Sequence, residues 1–263
     1  MRVIYLANPL LAAFLLSGVI LSGCVAPSHY PEGKSGGETV HVADAALSVG
    51  DYEEAARLYE RAAEQTPDSP DPYLGLGRAY AGLGQYGRAE GGLQRAVALR
   101  PGSPVAYNEL GRLALSRRNA AEAVTQFDKA LKRDRKNLTA LTGKAVAMDI
   151  QSNHAEAQAI YDTGLKYYPT NFALLNNKAL SLALSGQMAQ GTSLLEELVR
   201  DPERGQTAQA NLALVYTLEG RNRDARALLK GLMTPAEVEQ TLRTHQKIRS
   251  DLRAGKPAGH LAF

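Results

Sequence analysis

From residue 36 onward the apolar and polar positions repeat with a period of 34. The phrase is a glycine, a polar stretch, an alanine and then a large apolar residue. It occurs in VGDYEEAARLYERA, LGQYGRAEGGLQRA, SGQMAQGTSLLEEL and EGRNRDARALLKGL, whose glycines are Gly50, Gly84, Gly186 and Gly220. The two intervening slots of the same period fall on Arg118 and Ser152. Six blocks then fit without insertion: 36–69, 70–103, 104–137, 138–171, 172–205 and 206–239. One column is always small (Ala43, Gly77, Gly111, Ala145, Ala179, Ala213), and so is a second (Ala55, Ala89, Ala123, Ala157, Gly191, Ala225). A third is always large: Tyr59, Leu93, Phe127, Tyr161, Leu195 and Leu229. Each block therefore predicts two antiparallel helices, with small residues allowing close backbone approach and the large residue filling the space between one hairpin and the next. The glycines between the two helices suit a left-handed C-cap, and Pro67, Pro101 and Pro169 end three of the blocks. A hairpin of this kind cannot bury its apolar face alone, so neighbours must stack and the last one needs a cover.

The clearest copy, PYLGLGRAYAGLGQYGRAEGGLQRAVALRP, resembles the tetratricopeptide repeat, with Tyr73, Leu76, Gly77, Tyr80, Gly84, Tyr86, Ala89, Ala96 and Pro101 in the marker positions. The resemblance implies an all-α fold, a right-handed solenoid of tetratricopeptide-type helical hairpins with a C-terminal capping helix. Six repeats over 36–239 are expected, followed by TPAEVEQTLRTHQKIRSDLR, which opens with a capping-box pattern and predicts a covering helix over 235–253 that overlaps the last block. The tail 254–263 is expected to be mobile. Lys144 and Lys178 stand in a column otherwise held by Val42, Leu76, Leu110 and Leu212, and snorkelling of their stems is the expected accommodation. DPERGQ, where Glu203 replaces the closing proline, is the expected site of a bend.

The N-terminus has a different pattern. After Arg2 comes the apolar run VIYLANPLLAAFLLSGVIL, and the run ends in LSGC, which contains the only cysteine of the chain, Cys24. A basic start, an apolar centre and small residues at the end describe an export signal over 1–23. LSGC resembles the bacterial lipobox, which implies cleavage before Cys24 and lipidation of its thiol. Residues 24–35, rich in Pro, Gly and Ser, read as a flexible tether. Val25 in place of Asp after the cysteine points to the periplasmic face of the outer membrane.

Charge and chemistry remove other classes. The formal net charge is only +3, with Lys and Arg interleaved with Asp and Glu, so no basic stripe offers itself to nucleic acid. His29, His41, His154, His245 and His260 lack metal-ligand spacing, and no nucleophile and base are paired in sequence, so neither a cofactor, a metal nor a catalytic residue is expected. Repeat geometry, as the family resemblance implies it, instead places Leu74, Arg78, Asn108, Arg112, Thr142, Val146, Asn176, Leu180, Ala210 and Leu214 in a partner-binding groove. Its lining runs from arginine and asparagine, able to hold carboxylates or carbonyls, to leucine, suited to an apolar helix. Asn108 and Arg112 are expected to be exposed.

The second half is similar to the TadD family of tight-adherence (Flp) pilus assembly proteins. The resemblance rests on the pair Asn176 and Asn177, on NLALVY at Asn211 to Tyr216, and on a closing helix without a further repeat. It implies an outer-membrane lipoprotein, pilotin-like, whose protein partner is a secretin or another pilus component. A scaffold for outer-membrane protein insertion or for peptidoglycan enzymes would share the same lipobox and repeats.

Overall fold

The computed structural model describes residues 36–256. Cys24, the expected export signal and tether, and residues 257–263 of the tail lie outside the described residues. Thirteen α-helices and no strands are found among the described residues, and none of the helices is long and apolar enough to cross a membrane. The fold is a tetratricopeptide-type helical solenoid. It divides into an N-terminal unit, described over 36–137, and a C-terminal unit over 138–256.

In the N-terminal unit the helices pair as α1 (Gly36–Val49) with α2 (Tyr52–Gln65), α3 (Pro70–Gly82) with α4 (Tyr86–Leu99), and α5 (Val105–Ser116) with α6 (Ala120–Arg133). In the C-terminal unit the pairs are α7 (Leu138–Ile150) with α8 (His154–Tyr167), α9 (Phe172–Leu184) with α10 (Met188–Leu198), and α11 (Gly205–Glu219) with α12 (Asn222–Lys230). A last helix, α13 (Pro235–Arg253), packs on α11 and α12. Starts are set locally: the Asp51 and Asn119 side chains accept from the amides of Glu54 and Glu122, and Asn171 accepts from Leu174. The Thr234 amide donates to Glu237 Oε2 at 2.9 Å, in the capping box expected at the start of α13.

All six turn slots between paired helices adopt a left-handed backbone. Their φ values are 85° at Gly50, 70° at Gly84, 58° at Arg118, 63° at Ser152, 91° at Gly186 and 92° at Gly220. Arg118 and Ser152 thus hold a conformation that disfavours a side chain by roughly 1–2 kcal/mol. Closure of their hairpins imposes it on them.

The columns meet as pairs of complementary size. A Cβ on Gly77 would stand 2.4 Å from Leu93 Cδ2, and one on Gly111 would stand 2.7 Å from Phe127 Cε1. The small residue of a first helix therefore makes room for the large residue of the second helix in the same hairpin. Successive hairpins are further stapled by polar groups. In the N-terminal unit Tyr80 donates to Glu60 while Arg88 lies 3.9 Å over the Tyr80 ring and pairs with Glu60. In the C-terminal unit Tyr216 likewise donates to Glu196 and Arg221 lies over its ring, but Arg221 pairs with Glu219 and Asp224.

Two departures from the sequence expectation are local. Lys178 does more than snorkel, because its Nζ reaches Asp162 on α8 at 2.5 Å. DPERGQ folds into a hydrogen-bonded turn in which Asp201 accepts from the amides of Glu203 and Arg204 and from the Arg204 guanidinium. The Arg204 contacts hold the Asp201 carboxyl below the usual range.

The covering helix carries one buried histidine. His245 is buried with Val238, Leu242 and Ile248 on α13, and its Nδ1 has no hydrogen-bond partner. Burial lowers its pKa from 6.5 to about 4. The unfolded chain therefore takes up a proton first as pH falls. Stability is unaffected by this group above pH 6.5, drops between 6.5 and 4, and is flat below, with a total loss of about 3 kcal/mol. His245→Leu is expected to remove that slope in urea melts recorded across this interval; identical slopes for both proteins would refute the assignment.

Candidate functional site

The exposed face of the first helices differs between the two units. In the N-terminal unit, α3 lies against α1 and α5. Arg78 on α3 donates through Nε to Glu109 Oε1 on α5 at 2.9 Å, with a second nitrogen at 2.8 Å from the same oxygen. Arg112, one turn along α5, places Nε 3.6 Å from Glu109 Oε2. The arginine side chains are 39% and 34% exposed, whereas that of Glu109 is only 10% exposed. Arg78 is thus neutralised within the fold, and Arg112 keeps donors free for a ligand. Beside them Tyr59 donates to Asp44 at 2.5 Å, so Asp44, Arg78, Glu109 and Arg112 form an alternating charged row on the first helices. Leu74 is half-buried at its edge, against the core of this unit.

Asn108 differs from the expectation of exposure. It is 6% exposed and donates through Nδ2 to Asn137 Oδ1 at 2.9 Å, so its amide ties α5 to the following turn. In the C-terminal unit Val146, Asn176, Leu180 and Leu214 are buried as well. Leu180 and Leu214 belong to the main apolar cluster, together with Val238 and Leu242 of α13. The reason is lateral packing: α9 touches α7 on one side and α11 on the other, and an apolar side chain at that register sinks between them. An exposed leucine lining is therefore replaced by core. Thr142 and Ala210 are half-buried.

One feature of this face did not follow from the sequence. Asn108 Oδ1, Thr142 Oγ1 and Asn176 Oδ1 occupy the same register position in their hairpins, and each is buried without a hydrogen-bond partner. A buried acceptor left unpaired costs about 1–3 kcal/mol, so such atoms gain when a donor is supplied from outside the fold.

A second polar group lies inside the C-terminal unit. Asp149 on α7 is 0% exposed, yet it accepts from Ser181 Oγ at 2.6 Å and from the Tyr161 hydroxyl at 3.0 Å, and His154 Nδ1 lies 2.7 Å away. Burial pushes its carboxyl up, and the bonds to His154, Ser181 and Tyr161 pull the other way. These four residues come from three helices and escaped the reading by motif. The available signal was Asp149 itself, the only charge in the column Leu47, Ala81, Leu115, Asp149, Ala183 and Thr217. Ser181 and His154 each bond Asp149 on their own, so the arrangement places no base on the serine and reads as a polar tie between hairpins. Among the described residues no group of His, Cys, Asp and Glu is placed to hold a metal.

Comparison with known families agrees with this geometry. Tetratricopeptide-repeat family models match residues 46–113 and 108–171. Residues 46–171 thus carry tetratricopeptide repeats. No curated protein sequence matches the repeat protein. Among solved structures it is similar to PilW, described as a widely conserved type IV pilus biogenesis factor, with a TM-score of 0.66, 19% identity, and coverage of 80% of this chain and 99% of that one. It is also similar to pilF of Pseudomonas aeruginosa, with a TM-score of 0.64, 14% identity, and coverage of 78% and 96%. A tetratricopeptide repeat protein of Parabacteroides merdae matches with a TM-score of 0.66, 17% identity, and coverage of 79% and 83%. At these identities the likeness is one of fold.

Proposed function

We propose that the protein is a lipid-anchored, non-catalytic adaptor of the outer membrane's periplasmic face that serves Flp pilus assembly by holding a segment of a secretin or another pilus component. The single observation that carries the binding role is the pair of unpaired acceptors at Thr142 and Asn176 on the first helices of the C-terminal unit. A bound segment supplies main-chain N–H donors to such atoms, and in the N-terminal unit Arg112 separately offers a cation for a carboxylate or carbonyl. The pilus context is supported by the TadD-like features of the second half and by the role that PilW's description carries. Cys24 supplies the anchor, so location and recognition are separate properties of the chain.

The test is co-purification of the lipidated full chain from detergent-solubilised envelope. A secretin or pilus protein is expected in the eluate of the native protein. Its yield should fall severalfold for Arg112→Ala, with the melting temperature nearly unchanged because that side chain is 34% exposed. Cys24→Ser should move the folded protein to the soluble fraction. Recovery of an outer-membrane insertion factor or a peptidoglycan enzyme in place of pilus components would overturn the pilus assignment and keep the adaptor.

A further inference from the structure

The N-terminal unit has a second surface, away from the charged row of the first helices, that repeats with the hairpins. Two open crevices lie between second helices of neighbouring hairpins, one between α2 and α4 over α3, the other between α4 and α6 over α5. Their parts correspond at the 34-residue period. Tyr73 and Leu76 line the first, Tyr107 and Leu110 the second, and the rim position is Arg95 in one and Lys129 in the other. In each crevice a guanidinium lies over the tyrosine, Arg95 at 5.7 Å from Tyr73 and Arg133 at 3.9 Å from Tyr107. Both guanidiniums donate to a proline carbonyl of the preceding turn, Pro67 for Arg95 and Pro101 for Arg133, so these contacts leave their positive charge uncompensated by a carboxylate.

The charge balance favours an anion. The two carboxylates that line the crevices are already engaged, Glu60 by Arg88 and Tyr80, and Glu90 by Arg117. Arg95, Lys129, Lys132 and Arg133 make no ion pair among the described residues. We infer that these two crevices together bind an extended acidic peptide segment with an apolar side chain at about every third residue. Neighbouring hairpins are offset by about one helix-packing distance, roughly 8–10 Å, which an extended polyproline-II chain covers in three residues, one full turn that returns its side chains to the same face. Successive apolar side chains then meet Tyr73 with Leu76 and Tyr107 with Leu110, while the intervening carboxylates face Arg95, Lys129 and Lys132. A flat anionic membrane does not match floors recessed between helices. This surface is independent of the first-helix face proposed above, since Arg78, Asn108 and Arg112 line neither crevice.

Fluorescence anisotropy with the full mature chain decides it. The probe is a labelled, capped peptide of four Asp-Glu-Val triplets. The controls are four Lys-Arg-Val triplets and a peptide of the acidic composition with its valines grouped at one end. The acidic triplet peptide is expected to bind, to weaken as salt is raised, and to lose about tenfold or more in affinity in Lys129→Glu/Lys132→Glu. Arg112→Ala should leave its affinity within about twofold, because that residue lies on the other face. If charge reversal lowers the melting temperature, Lys129→Gln/Lys132→Gln carries the same comparison. Absence of binding, equal binding of the grouped-valine peptide, insensitivity to both lysine pairs, or phosphatidylglycerol vesicles bound in preference to the peptide and lost with the same substitutions would each overturn the proposal. Loss of pilus-component capture by the Arg112 variant with peptide binding intact would separate the two surfaces.

Discussion

Asp149→Ala is expected to destabilise the C-terminal unit by about 3–5 kcal/mol, the range for removing one partner from a buried charged network. The substitution takes away the acceptor of Ser181, Tyr161 and His154 at once, and Tyr161 is 0% exposed, so its hydroxyl has no water to turn to. Asp149→Asn keeps an acceptor oxygen and removes the buried charge, so a smaller loss is expected. Urea unfolding followed by circular dichroism measures both. An alanine variant as stable as the native protein would show that the four groups find partners elsewhere and that the cluster does not tie α7, α8 and α9 together.

Gly191→Val is expected to cost about 3 kcal/mol by overpacking the contact of α9 with α10. A Cβ at this position would stand 2.6 Å from the Ala179 carbonyl oxygen and 3.1 Å from the Ala183 amide nitrogen. These are backbone atoms, so the helices themselves must separate. Gly91 on α4 is the matched control, because a Cβ there meets nothing within 4 Å. Gly91→Ala should stabilise by about 0.5–1 kcal/mol through helix propensity. Similar losses at both positions would mean that helix crossing, rather than general disturbance, was wrongly held responsible.

These two positions also mark how far the sequence was legible. Gly191 sits in a column of alanines, and the size of that column announced a close crossing before any coordinates. Asp149 stood out only as a charge in an apolar column, with nothing to name its partners. The same divide runs through the first-helix face. Arg78 and Arg112 were readable as polar positions of one register and Asn108 as one of another, but Glu109, which neutralises Arg78, and Asn137, which engages Asn108, were not. Leu180 and Leu214 were assigned to an open lining and belong to the core. Their burial depends on how closely neighbouring first helices approach, and the size pattern within one hairpin does not state that distance.

By itself the sequence determined the helical hairpin, its period and its left-handed turns, because those depend on residues within one block of 34 and on the backbone preferences of small and large side chains. Arg118 and Ser152 show the strength of that register: the turn is made even where glycine is absent. The tertiary structure alone decided which polar groups are paired and which acceptors remain open. Arg78 meets Glu109 across 31 residues and Asp149 meets Ser181 across 32, separations that only the stacking of one hairpin on the next converts into hydrogen-bond distance.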